Sequence, residues 1–418
     1  MVPGLQGAME EAMKKYTRRL ALVSTAGFVC ALSVPAALAQ EPPKSVRIGY
    51  AISLSGPNAQ GAAITTLSGY KLWIDDVNKK GGLKVQGFDK RIPIEVVEYD
   101  DTSNAENMVR LTERLMTQDK VDFVLPPWST GFNLAAAPVY AKNGYPQLAV
   151  TANTNDAAAL TKQMPTLFFF LNEPRNYGAA LLEVLGKLKA ENKINNKIVM
   201  FSVADQFGAE ASAGITPVLQ RAGFDIVVRK SYPLGAADLS NEIKEAKASG
   251  ADTFLAYSYP PDTFMLTKTA VTQSFNPKVF YTAVGTAFAA YGATFKEQAQ
   301  GVFGIGGWDP GLPGAEDYVK RMVALNGKPS DGWAAPVTYA SLQVLEQAIE
   351  KVGLDRKKVL DAVENGGPYQ TIVGPVDLKT HVRGKQWGLG QWQNGQFVGI
   401  APGDLPGAKP IVFPKPNW

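Results

Sequence analysis

Strand-like and helix-like segments alternate along almost the whole chain, and this rhythm limits the fold more than any single motif. Runs rich in β-branched and aromatic residues occur at 45–51, 92–99, 122–125, 146–150, 197–203, 225–229, 253–257 and 278–281. Between them lie amphipathic stretches. Leu67, Tyr70, Ile74 and Val77 step by 3, 4 and 3, and the pair Gly81-Gly82 is a stop signal for that helix. Leu342, Leu345, Ile349 and Val352 repeat the pattern near the C-terminus. Such alternation predicts parallel sheets covered by helices on both faces. The stretch 391–397, centred on Asn394-Gly395, reads as a hairpin. The proline-rich tail from Ala401 is expected to lie extended on the surface.

The first forty residues read as an address. Lys14, Lys15, Arg18 and Arg19 precede an apolar run from Leu20 to about Val34, and Ala37-Leu38-Ala39 places small residues where a signal peptidase cuts. Residues 1–39 are therefore expected to be a signal peptide cleaved after Ala39, with Met13 a candidate start. The run is short for a membrane span, which needs ~20 apolar residues. Arg18-Arg19 fits either a twin-arginine or a general secretory signal. Removal of the leader leaves 418 − 39 = 379 residues, enough for two sets of strand–helix units. Cys30, the one cysteine, lies inside the leader and behind Gly27-Phe28-Val29, a poor lipidation motif. The exported chain is expected to be a soluble protein of an oxidising compartment that relies on its core, not on disulfides.

Several chemistries find no support. The counts of 42 basic and 38 acidic residues are close, without a basic tract, so no nucleic-acid partner is expected. One histidine argues against histidine-ligated metal and against a catalytic triad; His381, in a charged turn-like stretch, reads as a solvated loop residue. There is no G-x-S-x-G elbow, and Gly327-Lys328-Pro329 lacks the serine or threonine of a phosphate loop. Gly304, Gly306 and Gly307 do not complete a dinucleotide-binding fingerprint. Asp100-Asp101 could be paired acids; the plainer reading is that they end a strand and cap a helix beginning near Asn104. No catalytic residue, metal site or cofactor is expected.

Two loops at carboxyl ends of strands stand out, because in open parallel sheets such loops form the ligand crevice. The segments 125–131 and 151–156 carry Ser129 and Thr130 in the first, and Thr151, Asn153 and Thr154 in the second. Hydroxyls beside helix N–H groups suit a carboxylate; equally, they cap their own helices. Trp128, Phe207, Tyr257 and Tyr259 could wall a pocket or merely pack.

Ile48-Gly49-Tyr50, Ser53-Leu54-Ser55-Gly56-Pro57, Gly69-Tyr70-Lys71-Leu72, Val77-Asn78, Gly81-Gly82, Asp100-Asp101, the 127–130 segment, Asp205-Gln206-Phe207-Gly208, Tyr339-Ala340 and Val373-Gly374-Pro375 together resemble the periplasmic Leu/Ile/Val-binding protein family. The resemblance runs from about Ser45 to Phe397. It implies an α/β, two-lobed type I periplasmic binding protein: each lobe a mostly parallel sheet flanked by helices, with three hinge crossovers. On that basis residues 44–170 plus 304–375 form one lobe, 171–303 plus 376–400 the other, and 401–418 a tail. It also implies ligand contacts at Ser129 and Thr130, at Ala152, Asn153 and Thr154, and at the second-lobe aromatics Phe207 and Tyr259. Where amino-acid-binding members carry an acid for the ligand ammonium, this chain has Val284. Aromatic family positions fall on Gly61 and Ala334, so the site is expected to be wider and less acidic.

The function implied is a monomeric, non-enzymatic receptor that closes on a small carboxylate and presents it to the membrane permease of an ABC importer. Val284, Gly61 and Trp128 favour an aromatic or branched acid without an α-ammonium. The alternatives are a hydrophobic amino acid held by another carboxylate, such as Glu173 or Asp205; a ligand sensor for a membrane receptor; and, most remotely, a secreted hydrolase.

Overall fold

The structure is a computed structural model that describes residues 41–171 and 173–418; the leader, with its arginine pair, Cys30 and the cut after Ala39, lies outside the described residues. The chain runs β1 (Val46–Ile52), α1 (Ala59–Ala62), a π-helical turn (Ala63–Leu67), α2 (Ser68–Lys79), β2 (Ile94–Asp100), α3 (Ala105–Thr117), β3 (Phe123–Leu125), α4 (Thr130–Asn143), β4 (Gln147–Ala149), α5 (Ala157–Gln163) and β5 (Leu167–Phe169). It then forms α6 (Pro174–Ala190), β6 (Lys197–Val203), α7 (Gln206–Arg221), β7 (Asp225–Tyr232), α8 (Ser240–Ala248), β8 (Thr253–Tyr257), α9 (Pro260–Thr272), β9 (Val279–Thr282), α10 (Ala289–Phe295) and β10 (Phe303–Ile305). It returns through α11 (Ala315–Asn326), α12 (Ala334–Val352), α13 (Arg356–Asn365), β11 (Tyr369–Thr371) and β12 (Gly374–Val376), and ends with β13 (Leu389–Gln393) and β14 (Gln396–Ala401).

These strands make two layered α/β lobes. In the first, β2-β1-β3 are parallel neighbours and β4-β5 a second parallel pair. In the second, seven strands lie in the order β14-β13-β10-β9-β8-β6-β7. The pairings from β7 through β10 are parallel, whereas β13 runs antiparallel to both β10 and β14. Central strands read as continuous apolar runs because both faces are covered: all of β8 is buried, whereas edge strand β7 alternates exposed and buried residues. Amphipathic α3 buries Met108, Leu111, Leu115 and Met116. Each such side chain contributes roughly 1.5–3 kcal/mol.

All eight sequence-read strands are present, with ends displaced by at most three residues. The short β5, β10, β11 and β12 carry too few residues for a periodic signal. The hairpin at Asn394-Gly395 joins β13 to β14. Helix α2 does end before Gly81-Gly82. Gly82 has φ +113°, and a β-carbon there would lie 2.2 Å from the Ile92 carbonyl, so the turn needs glycine.

The chain passes between lobes three times: between β5 and α6, after β10, and through 377–388. The expected boundary at 303/304 falls inside β10, which belongs to the second sheet through its bonds to β9 and β13. Two further expectations are corrected. Asp100 and Asp101 end β2 but do not cap α3; Asn104 does, accepting from the Asn107 N–H at 2.9 Å. The two acids instead hold the β1–α1 loop: Asp100 accepts from the Leu54 and Ser55 backbones and the Ser55 hydroxyl, and Asp101 accepts from Ser53 at 2.6 Å. His381 is not solvated. It stacks flat on Phe168 at 4.3 Å, because the third crossover pairs with β5. The tail after Ala401 runs over the surface without helix or strand, as expected, and is held there: Gln391 exchanges two side-chain bonds with the Val412 backbone, and Trp418 packs edge-on against Phe280.

A buried polar knot ties α2 to α11 and α12. The Asp76 carboxylate, 8% exposed, accepts from the Tyr339 hydroxyl at 2.6 Å and pairs with Arg321. Replacing it removes one of the two carboxylates on the Arg321 guanidinium, Asp317 being the other, and leaves the buried Tyr339 hydroxyl without its acceptor. Asp76→Ala is expected to cost about 2–4 kcal/mol, read as a lower urea midpoint with an unchanged slope.

Candidate functional site: an aromatic cavity between the lobes

The first-lobe wall is built where β3 and β4 end. Ser129 begins α4 in a left-handed conformation, φ +83° and ψ +155°, that non-glycine residues seldom adopt. Such strain costs on the order of 1–3 kcal/mol and persists only where the surroundings enforce it. Here the enforcing group is Asn133, which is fully buried. Its amide donates to the carbonyls of Pro127 (2.8 Å) and Ser129 (2.9 Å) and to the Thr151 hydroxyl (3.2 Å), stapling the two loops together. The Ser129 N–H donates to Thr151 at 3.1 Å, and the Ser129 hydroxyl accepts from Phe132.

Trp128 is held by the π-helical turn, a local irregularity often found at functional sites. Its indole N–H donates to the Thr65 hydroxyl at 2.8 Å, and Thr65 donates to the Gly61 carbonyl at 2.8 Å. The ring lies directly on Gly61: a β-carbon there would be 2.2 Å from Cζ2. From the second lobe, Tyr259 meets Trp128 at 4.8 Å and stacks on Phe207 at 5.2 Å.

The resulting cavity is lined by Trp128, Ser129, Thr151, Asn153, Phe207, Tyr259, Val284 and Ala334, all named from sequence, and also by Thr65, Leu171 and Trp333. Thr65, in the π-helical turn, and Trp333, just before α12, carried no sequence signal of a cavity. Four expected residues do not line it. Thr130 is buried and interacts with Asn153. Ala152 packs in a small core patch with Ala137 and Phe169. Gly61 acts only by making room for Trp128. The Thr154 hydroxyl donates to Glu210 of α7 at 3.1 Å, and the same carboxylate accepts from the Asn155 N–H and side-chain amide. Glu210 thus reaches from the second lobe to the first.

With the lobes in their present arrangement the cavity is small. The cavity measures about 20 Å³, room for one water, because the Trp128 ring occupies the space that glycine at 61 leaves. No acidic residue lines it. Glu173 is ion-paired with Arg175 at 2.7 Å. Asp205 caps α7, accepting from Gly208 at 3.0 Å, and faces the Tyr259 hydroxyl. Burial raises its pKa. Behind Tyr259, burial pushes Asp262 up to about 6, the neighbouring Asp205 charge adding to the effect while the Tyr259 and Gly235 backbones oppose it.

The chain belongs to the periplasmic binding protein family, whose model matches residues 45–396. The Leu/Ile/Val-binding protein homolog 7 of Brucella suis is 25% identical over 399 residues, covering 89% of this chain and 96% of that protein. Among solved structures, the Streptococcus pneumoniae branched-chain amino acid transporter substrate-binding protein LivJ, in complex with isoleucine, superposes with a TM-score of 0.72 at 20% identity, covering 85% of this chain and 98% of its own. An R. palustris ABC-transporter solute-binding protein in complex with benzoate gives 0.73 at 18%, covering 85% and 95%. The fold is that of type I solute-binding proteins, which bind small ligands and deliver them to ABC permeases.

Two outcomes follow from this geometry. Gly61→Ala forces the Trp128 ring aside and is expected to cost about 1–3 kcal/mol, with a change in tryptophan fluorescence. An acid whose folded pKa lies above its unfolded value near 3.9 binds protons more tightly when folded. Its contribution is therefore full below pH ~4 and is lost as pH rises through 6. Asp262→Asn should shallow the fall in urea midpoint between pH 4 and 7 relative to wild type.

Proposed function

We propose that this protein is a non-enzymatic solute-binding receptor of an ABC importer whose ligand is an aromatic or branched carboxylic acid lacking an α-ammonium. The observation that carries this reading is the cavity lining: four aromatic rings and three aliphatic residues, hydroxyl and amide groups at Ser129, Thr151 and Asn153, and no carboxylate. An ammonium enclosed there would lack a counter-charge, at a cost of several kcal/mol. A carboxylate can be met by the Asn153 amide, the hydroxyls and the positive end of α4.

Opening about the three crossovers separates Trp128 from Tyr259, and a flat ligand takes the place between them. Enclosing a ring of ~150–250 Å² contributes roughly 4–6 kcal/mol gross. The benzoate-bound neighbour supports an aromatic acid, and the isoleucine-bound one keeps an amino acid as the rival.

Calorimetry with benzoate, phenylpyruvate, 4-methyl-2-oxopentanoate, leucine and phenylalanine separates the two. The acids without an amine should bind at least ~100-fold more tightly than their amino counterparts, the equivalent of ~2.7 kcal/mol. Tight binding of leucine or phenylalanine with none of the deaminated acids would reject the reading.

A further inference from the structure

Trp333 lines a second cavity, of about 70 Å³, on the third crossover. The chemistry there is one-sided. The Trp333 indole N–H is buried, the residue being 4% exposed, and it has no hydrogen-bond partner among the described residues. Trp333 is locked in place by Gly306 (φ +77°), where a β-carbon would lie 1.9 Å from the ring. Gln386 is also 4% exposed, and its amide nitrogen has no partner among the described residues either; its oxygen is turned to Arg383 at 3.3 Å. That neutral oxygen is the only side-chain bond of the Arg383 guanidinium among the described residues.

Arg383 and Lys385 both line this cavity, and no aspartate or glutamate does. Lys385 has its own counter-ion in Asp404, which lies outside the lining. Arg383 has no carboxylate at ion-pair distance among the described residues, although Asp309 and Asp377 line the adjoining cavity with it, and desolvation lowers its pKa to about 10. Water could satisfy the donors but could not neutralise the guanidinium, and a half-buried cation without a counter-charge is costly. Indole N–H, amide NH₂ and guanidinium thus belong to three residues that line one cavity, and the volume suits a group of two or three heavy atoms.

We propose that this hinge cavity is a second binding site, distinct from the aromatic cavity, that holds one small anion of carboxylate or halide size between Arg383, Gln386 and Trp333. Arg383 and Gln386 sit on the third crossover, and Trp333 begins α12 of the first lobe. The anion therefore fastens the crossover to that lobe and stabilises the arrangement in which they touch.

The test is thermal unfolding of the mature protein in sodium formate against equal ionic strengths of sodium gluconate, an anion too bulky for the cavity. Formate should raise the wild-type melting temperature saturably, by about 2–5 °C near 100 times its dissociation constant, while gluconate gives no saturable rise. Arg383→Met should abolish the formate effect, and Gln386→Leu should weaken formate about tenfold; the second variant carries the test if the first does not fold. Ser129→Ala should leave the formate response intact. Equal shifts from the two salts, a wild-type response in whichever hinge variant folds, or loss of the response in Ser129→Ala would each overturn the proposal.

Discussion

The contact between Trp128 and Tyr259 is where the two lobes meet across the cleft, and much of the architecture serves to place those two rings. Trp128 can stand upright only because Gly61 has no side chain and because the π-helical turn offers the Thr65 hydroxyl to its indole N–H. Thr65 is itself held from the far side, its carbonyl accepting from Thr338 of α12 at 2.8 Å. Tyr259 is backed by Phe207 and by buried Asp205 and Asp262, whose proton affinities are raised in the same enclosed environment. A ligand that parts the rings inherits this scaffold and brings little new strain to it.

Around this contact the polar groups divide into two sets. One is spent on structure: Asn133 staples the loops that present Ser129 and Thr151, and Glu210 clasps Thr154 and Asn155 from the opposite lobe. The other set, on and beside the third crossover, is left unspent, with buried donors and a cation lining a space that has no carboxylate. Paired groups hold the lobes in their present relation. Unpaired ones invite something from outside the chain.

How much was readable in advance depended on the range of the interactions concerned. The eight strands were legible because a strand buried on both faces writes itself as a short apolar run. The loops carrying Ser129 and Asn153 were legible because topology places ligands at strand ends. That Thr130, Ala152 and Thr154 do not line the cavity could not be read, because position along a loop does not reveal which way a side chain turns once Asn153 and Glu210 compete for it. The acids at 100–101 show the same limit: their partners lie 45 to 48 residues earlier, in the β1–α1 loop.

The sequence alone determined the α/β alternation, the two-lobed family fold and the lack of an acid at position 284, since these rest on local periodicity, motif order and residue identity. Only the tertiary structure decided the size and lining of the cavity. Glycine at 61 reads as added space, yet the space is taken by an indole 63 residues away from its Thr65 anchor. Trp333 likewise enters both cavities through packing against Gly306, a contact between segments that no local pattern encodes. Volume in a folded protein belongs to whichever side chain packs into it, and that is settled by contacts distant in sequence.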